Sequence, residues 1–211
     1  MSARDEHSLS EVANPYLEPS KQFHPYGQSW YKMSTGNKGK RFVEKMKIRR
    51  ETESDIIAIN KITAAAFKDH PYSHQTEVFI VKALRAAYAL TPSLVAEAEG
   101  RVVGHIAFSP VVISDGSEGW YGIGPLSVAP ELQRQGIGKA LVNEGLATLN
   151  ESGANGCVLV GDPDYYKRFG FRNLPELTLE GVPPENFLAL AFGKDSARDA
   201  VSFHEAFLAA G

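Results

Sequence analysis

Leu126-Ser127-Val128-Ala129-Pro130-Glu131-Leu132-Gln133-Arg134-Gln135-Gly136-Ile137-Gly138 is the stretch on which the reading of this chain turns. Pro125 to Ala129 reads as a strand, followed by a loop and a helix whose first turn contains Gln133 to Gly138. A helix N-terminus leaves several N–H groups unpaired and carries partial positive charge, so it attracts anions. Gly136 and Gly138 remove side chains that would hold a pyrophosphate away from those amides, and Arg134 and Lys139 add flexible charge. Gly-x-Gly alone also fits a helix that merely packs closely on a sheet. Two other phosphate motifs are excluded, because no Gly-x-x-x-x-Gly-Lys-Ser/Thr occurs and Gly136-Ile137-Gly138-Lys139-Ala140-Leu141 lacks a third dinucleotide-type glycine.

Downstream, Ile137, Ala140, Leu141, Val142, Leu146 and Leu149 carry the helical period until Gly153 ends it. Gly156 to Val160 is a strand, Asp164 to Arg168 a short helix stopped by Gly170, and Leu177 to Leu179 and Phe187 to Phe192 are strand candidates. Upstream, Lys47 to Arg50 reads as a short edge-like strand, and Thr52 to Asp55 as a capping signal before the stripe Ile56, Ile59, Ile62 and Ala66. Val81, Leu84 and Tyr88 predict a second helix. Leu94 to Glu99 and Val102 to Val112 are strands joined around Gly100, and Asp115-Gly116 is a hairpin-type turn into Trp120 to Val128. This order predicts an α+β, or mixed α/β, layered domain with a three-strand antiparallel meander.

Residues 1–45 contain Pro15, Pro19, Pro25, Gly27, Gly36 and Gly39 and show no periodicity, so they read as an arm before a domain at 46–211. Phe23, Tyr26, Trp30 and Tyr31 leave two readings open: the arm packs on the domain or on a second subunit, making a homodimer, or it is a disordered extension. With 211 residues, 43% hydrophobic and a net charge of −3, the chain suits one soluble domain and offers no general field for nucleic acid or anionic lipid. Neither a membrane span nor a signal-peptide core is visible, so the expected compartment is the cytoplasm. Cys157, the sole cysteine, lies in an apolar strand and reads as structural. His70 and His74 are i, i+4, but Pro71 between them argues against a helical metal pair, so no metal is expected.

The stretch Leu126 to Gly138 resembles the acetyl-CoA motif of the GNAT (GCN5-related) N-acetyltransferases, in which Gln/Arg-x-x-Gly-x-Gly/Ala grips the pyrophosphate. Gly161-Asp162-Pro163-Asp164-Tyr165-Tyr166-Lys167-Arg168-Phe169-Gly170-Phe171 is similar to the family's second cofactor motif, particularly in small bacterial members of the YhbS type. The resemblance spans about 46–211. It implies a mostly antiparallel sheet flanked by helices, with strands splayed at the cofactor site and acetyl-CoA as co-substrate. It further implies that the pantetheine arm bonds the backbone at Leu126 and Val128, within a binding set of Leu126, Ser127, Val128 and Gln133 to Lys139, including Gln135 and Ile137.

What the resemblance implies is transfer of an acetyl group to a primary amine of a small molecule or protein, by direct attack in a ternary complex. Such a reaction needs a neutral amine, a polarised carbonyl, a proton acceptor and an acid for the leaving thiolate. Tyr166, four residues before Gly170, matches the family's tyrosine acid; the alternative is a core aromatic packed with Phe169 and Phe171. Glu77, His70, His74 and Tyr72 fall where the family walls the acceptor pocket, and His105 points either into the core or toward the cleft. Phe187 to Phe192 and Phe203-His204 are expected to complete that wall. No single base is assigned. A non-catalytic acyl-CoA-binding or regulatory module is the competing function.

Overall fold

The computed structural model describes residues 29–30, 46–69, 71, 73–193 and 197–210. His70, Tyr72 and the arm's Phe23, Tyr26 and Tyr31 lie outside the described residues. The strands are β1 Ser29–Trp30, β2 Met46–Arg50, β3 Ser93–Ala98, β4 Arg101–Pro110, β5 Val112–Ile113, β6 Trp120–Val128, β7 Gly156–Val160, β8 Leu177–Thr178, β9 Phe187–Ala191 and β10 Asp199–Ser202. The helices are α1 Ile56–Phe67, α2 Glu77–Ala86, α3 Ile137–Glu151 and α4 Pro163–Tyr166.

Among the described residues, seven strands form one sheet in the order β1-β2-β3-β4-β6-β7-β9, and β5-β10-β8 form a second. In the large sheet only β6 and β7 run parallel. Strand alternation sends Leu94, Ala96 and Phe108 to one face, where they join Leu141 and Leu149 of α3. Val95 faces the other way and packs with Ile59 of α1 and Val81 of α2. The sheet is therefore sandwiched between helices, the layered α+β arrangement the sequence predicts. At the start of α1, the Asp55 carboxylate accepts from the Thr52 N–H at 2.8 Å and completes the capping box.

Several expectations are corrected. Tyr88 is not a helix position: α2 ends at Ala86, and Tyr88 sits at φ 54° with its side chain 95% exposed. Val102 to Val112 is not one strand, because β4 stops at Pro110 and β5 leaves to pair with β10. Asp115-Gly116 lies in the connection between β4 and β6, which pair antiparallel as far as Pro110 and Tyr121 and complete the expected three-strand meander, while β5 within that connection joins the second sheet. The arm does contribute a strand, since Ser29 and Trp30 pair with Ile48 and Lys47; β2 is therefore internal rather than an edge.

Close packing of α3 on the sheet makes a first prediction. A methyl at Gly145 would stand 2.2 Å from two ring carbons of Phe108. Alanine favours helix by about 1 kcal/mol over glycine in an open site, but the overpacking cost of about 1–3 kcal/mol should win here. Gly145→Ala should therefore lower the melting temperature; an unchanged or raised one would mean that α3 rides loosely over Phe108.

Candidate active site

β6 pairs with β7 only over Trp120, Tyr121 and Gly122, opposite Gly156, Cys157 and Val158. Beyond that the two strands part. On its other side β6 carries an extra residue, because Ile106 faces Leu126 while Phe108 faces Ile123, which places a bulge around Gly124-Pro125. The Ala129 N–H donates to the Val103 carbonyl at 3.0 Å, so alternation turns the backbone of Ser127 toward β4 and that of Leu126 and Val128 into the gap. Leu126 and Val128 thus lie on a strand edge that pairs with no other strand among the described residues. Ser127 is turned away: its hydroxyl is buried and donates to Thr63 Oγ1 at 3.1 Å.

The loop at the end of β6 differs from the expected helical first turn. Pro130–Leu132 is a 3-10 turn, Gln133 to Gly136 are loop, and α3 begins at Ile137. Arg134 (φ 60°) and Gly136 (φ 90°) both adopt left-handed backbone, and no side chain caps α3. The first amides of α3 are therefore free to bind an anion. Arg134 and Lys139 are exposed and form no ion pair among the described residues. Gln133 and Gln135 point back toward β6 and the turn: Gln133 Nε2 donates to the Val128 carbonyl at 3.3 Å, and Gln135 Nε2 to the Glu131 carbonyl at 3.5 Å.

The two tyrosines straddle the gap. The Tyr165 hydroxyl lies 3.0 Å from where a Cβ on Gly138 would stand, whereas a Cβ on Gly161, just after β7, would lie 2.6 Å from the Tyr166 ring. Their rings meet edge to face at 4.9 Å, and Tyr166 also packs on Phe169 and Phe171. Burial, and secondarily Tyr165, pushes the Tyr166 phenol well above its ordinary value, so it stays protonated. Arg168 stacks over the Tyr165 ring at 4.9 Å.

Among the acceptor-side candidates, His105 is wholly buried on the α1/α2 face. Its Nε2 is 2.9 Å from Ser93 Oγ and 3.4 Å from Glu51 Oε2. Ser93 Oγ donates to Glu51 Oε2 at 2.5 Å, and Arg85 adds two bonds to the same carboxylate at 2.8 and 3.0 Å. Arg50, Glu51, Arg85, Tyr88, Leu90 and Ser93 line an open cleft of about 270 Å³ at this end of the sheet. None of Glu51, Arg85 and Ser93 is singled out by sequence pattern. The Glu77 carboxylate accepts from the Ser73 hydroxyl, whose oxygen is 2.7 and 2.9 Å from its two oxygens, and His74 is exposed. Phe187–Ala191 pairs with β7 in the large sheet, and Phe187 packs in a separate core cluster. Phe203 does lie beside β6, over Gly122, and packs on Phe207 at 4.9 Å. Cys157 is buried, which pushes its thiol up, consistent with a structural role. Among the described residues no group of three His, Cys, Asp or Glu side chains is placed to hold a metal, and no helix is long and apolar enough to cross a membrane.

The Glu51 network makes a second prediction. Burial pushes the carboxyl up, but hydrogen bonds from His105, Arg85 and Ser93 outweigh it and hold the group at about 2 against an ordinary 4.5. A depressed folded-state value contributes stability that is complete above pH 4.5 and is lost as pH falls toward about 2. Urea midpoints should fall across that window, and Glu51→Gln should flatten the fall. An identical acid slope in the variant would remove Glu51 from the account.

The family model described as Acetyltransferase (GNAT) domain matches residues 47–173. Over 127 residues the chain is 39% identical to the uncharacterized N-acetyltransferase YhbS of Escherichia coli K12, covering 60% of this chain and 73% of that protein. A GNAT family acetyltransferase from Brucella melitensis, crystallised with acetyl-CoA, is 51% identical with a TM-score of 0.69, covering 77% of this chain and 98% of its own. YhbS from E. coli, crystallised with CoA, is 32% identical with a TM-score of 0.71, covering 78% and 92%.

Proposed function

Because the chain belongs to the GNAT acetyltransferase family, we propose that it transfers an acetyl group from acetyl-CoA to a primary amine of a small molecule or protein, by direct attack in a ternary complex. The observation that carries this reading is the meeting of a strand edge without a partner strand at Leu126 and Val128 with the uncapped start of α3. The amides from Ile137 to Lys139 receive the pyrophosphate, with charge from Arg134 and Lys139. The edge of β6 receives the pantetheine arm as an added strand would be received. Acetyl-CoA supplies the activated thioester. The Val128 amide polarises its carbonyl, and the Tyr166 hydroxyl, at the β7 side of the gap, gives its proton to the departing sulfur. Two relatives crystallised with acetyl-CoA or CoA support the choice of co-substrate.

The experiment is incubation with acetyl-CoA and a panel of primary amines, following thiol release and the acetylated product by mass. Cys157 is buried, so a thiol reagent reads released CoA and not the folded protein. Amine-dependent release supports the reading; tight acetyl-CoA binding with no release on any amine would favour a binding module.

The same reading takes 46–211 as the catalytic domain, residues 1–45 as an appended arm and the cytoplasm as the compartment. A chain starting at Met46 should fold and bind CoA despite losing the short β1 pairing. If the arm carries a homodimer contact, the shortened chain should also run as a smaller species on gel filtration. An insoluble product, or one without CoA affinity, would put the arm inside the domain.

A further inference from the structure

The two strands at the gap fix the direction in which a donor's acyl group points. The pyrophosphate belongs to α3, past the end of β6, so the pantetheine arm runs back along β6 by way of Val128 and Leu126, and the acyl group is its leading end. That end enters the closing part of the gap, because β6 and β7 are paired at Gly122 and Val158. Gly124 stands about 7 Å before Leu126 at the rise of an extended chain. An acyl chain that grows by a few carbons therefore runs toward Gly124.

One face of this closing end is solid. Tyr121 and Ile123 point under α3, where Ile123, Cys157 and Leu159 are buried in the main core. The other face belongs, by alternation, to positions 122 and 124, and both are glycine. Residues near the C-terminus fill the space that two side chains would take. A Cβ on Gly122 would overlap the Phe203 ring, and one on Gly124 would stand 3.5 Å from the Phe207 ring. Phe203 thus leaves no room over Gly122, whereas Phe207 leaves contact distance over Gly124.

The rings meet edge to face at 4.9 Å but are held by different parts of the fold. Phe203 packs on the core cluster of Val111, Trp120 and Val201. Phe207 is half-buried on the short turn Glu205–Leu208, which docks on α2 through Ala206, itself buried with Leu84 and Ala89. His204 Nδ1 accepts from the Ala206 N–H at 3.1 Å and fixes the start of that turn. The Phe207 ring is therefore pinned between α2, Phe203 and the bare backbone of β6.

We propose that Phe207, backed by Phe203, sets the length of acyl group that the chain transfers: the ring closes the end of the gap behind an acetyl methyl and turns away butyryl and longer chains. The inference rests on the acetyl-transfer reading and deepens it to the acyl class of the donor. An apolar pocket discriminates by room, and one methylene is worth about ten- to two-hundredfold. Butyryl carries two more carbons than acetyl, and to seat them it must displace a ring held on three sides. The reacting carbonyl lies nearer the α3 end, at Val128, so the stop acts on the tail and not on the transfer itself.

The test is calorimetric titration of the full chain with free CoA, acetyl-CoA, butyryl-CoA and hexanoyl-CoA, followed by turnover of the same donors on the best amine from the panel. Wild type should bind acetyl-CoA at least about tenfold more tightly than butyryl-CoA and show the same preference in kcat/KM. Phe207→Ala should bring the two donors level, with the affinity for free CoA and the amine KM unchanged. Phe207→Leu keeps an apolar group on α2 and should fall between; it decides the matter if the alanine chain does not fold. Leu208→Ala, at a neighbouring side chain that is 87% exposed, should keep the wild-type ratio. A wild type that binds and transfers butyryl as well as acetyl would overturn the proposal. So would a folded Phe207 variant that keeps the acetyl preference and changes only the amine KM, which would make the ring a wall of the acceptor's pocket. A wild type that binds acyl-CoA but acetylates no amine would count against the acetyl-transfer reading itself, and the binding ratios would still judge Phe207.

Discussion

Gly136→Glu should leave a folded chain that has lost at least about a hundredfold in acetyl-CoA affinity. Gly136 is the residue before α3 and sits at φ 90°, so any side chain there costs about 1–2 kcal/mol of folding stability. The loss of binding has a separate cause. A carboxylate at this position occupies the space in front of the α3 amides and repels the pyrophosphate. Two charge-assisted hydrogen bonds at about 1.5–3 kcal/mol each amount to a hundredfold or more when each factor of ten is about 1.4 kcal/mol. Gly136→Ala carries the backbone cost without the charge, so it should match the glutamate in lost stability and keep most of the affinity. Calorimetric titration of both variants, with melting curves, separates the two effects. Wild-type affinity in a folded Gly136→Glu chain would move the phosphate site elsewhere.

Tyr166→Phe should lower kcat by about ten- to a thousandfold, in keeping with loss of a general acid, and leave acetyl-CoA affinity nearly unchanged. The phenylalanine ring preserves the packing on Phe169 and Phe171, and the lost hydroxyl makes no hydrogen bond among the described residues. Tyr165→Phe should show the opposite split. Its hydroxyl lies against Gly138 rather than at the end of β7, so its loss should raise the acetyl-CoA KM by a few-fold and spare kcat. Adjacent helical residues do not ordinarily face one ligand. The gap relaxes that rule by offering a target on each side. Steady-state kinetics on both variants decides the matter; a Tyr166→Phe chain at wild-type kcat would return Tyr166 to the aromatic core.

Glycine chemistry made much of the fold legible. Gly100, Gly153 and Gly170 all take left-handed backbone where a turn or helix end is read from sequence. Tyr88 misleads because an apolar residue at the next helical position looks like a continued stripe, and only the backbone shows that the helix has already ended. β10 escapes notice because it is four residues long with only Val201 buried, and its partner β5 lies far back in the chain. The phosphate loop is local and could be read. The Glu51, Ser93 and His105 network is not local: it joins β3, β4, α2 and the turn after β2, and Glu51 reads in sequence as an ordinary charge after a strand. His105, a polar residue inside the apolar run from Val102 to Phe108, is the visible trace of it.

The central claim is that acetyl-CoA lies along β6 with its pyrophosphate on α3, and amide NMR during a CoA titration tests it most directly. The shifts should concentrate at Leu126, Val128, the amides from Gln133 to Lys139, and Tyr165 and Tyr166. Shifts confined to the cleft of Arg50, Arg85 and Tyr88, with the α3 loop unmoved, would contradict it.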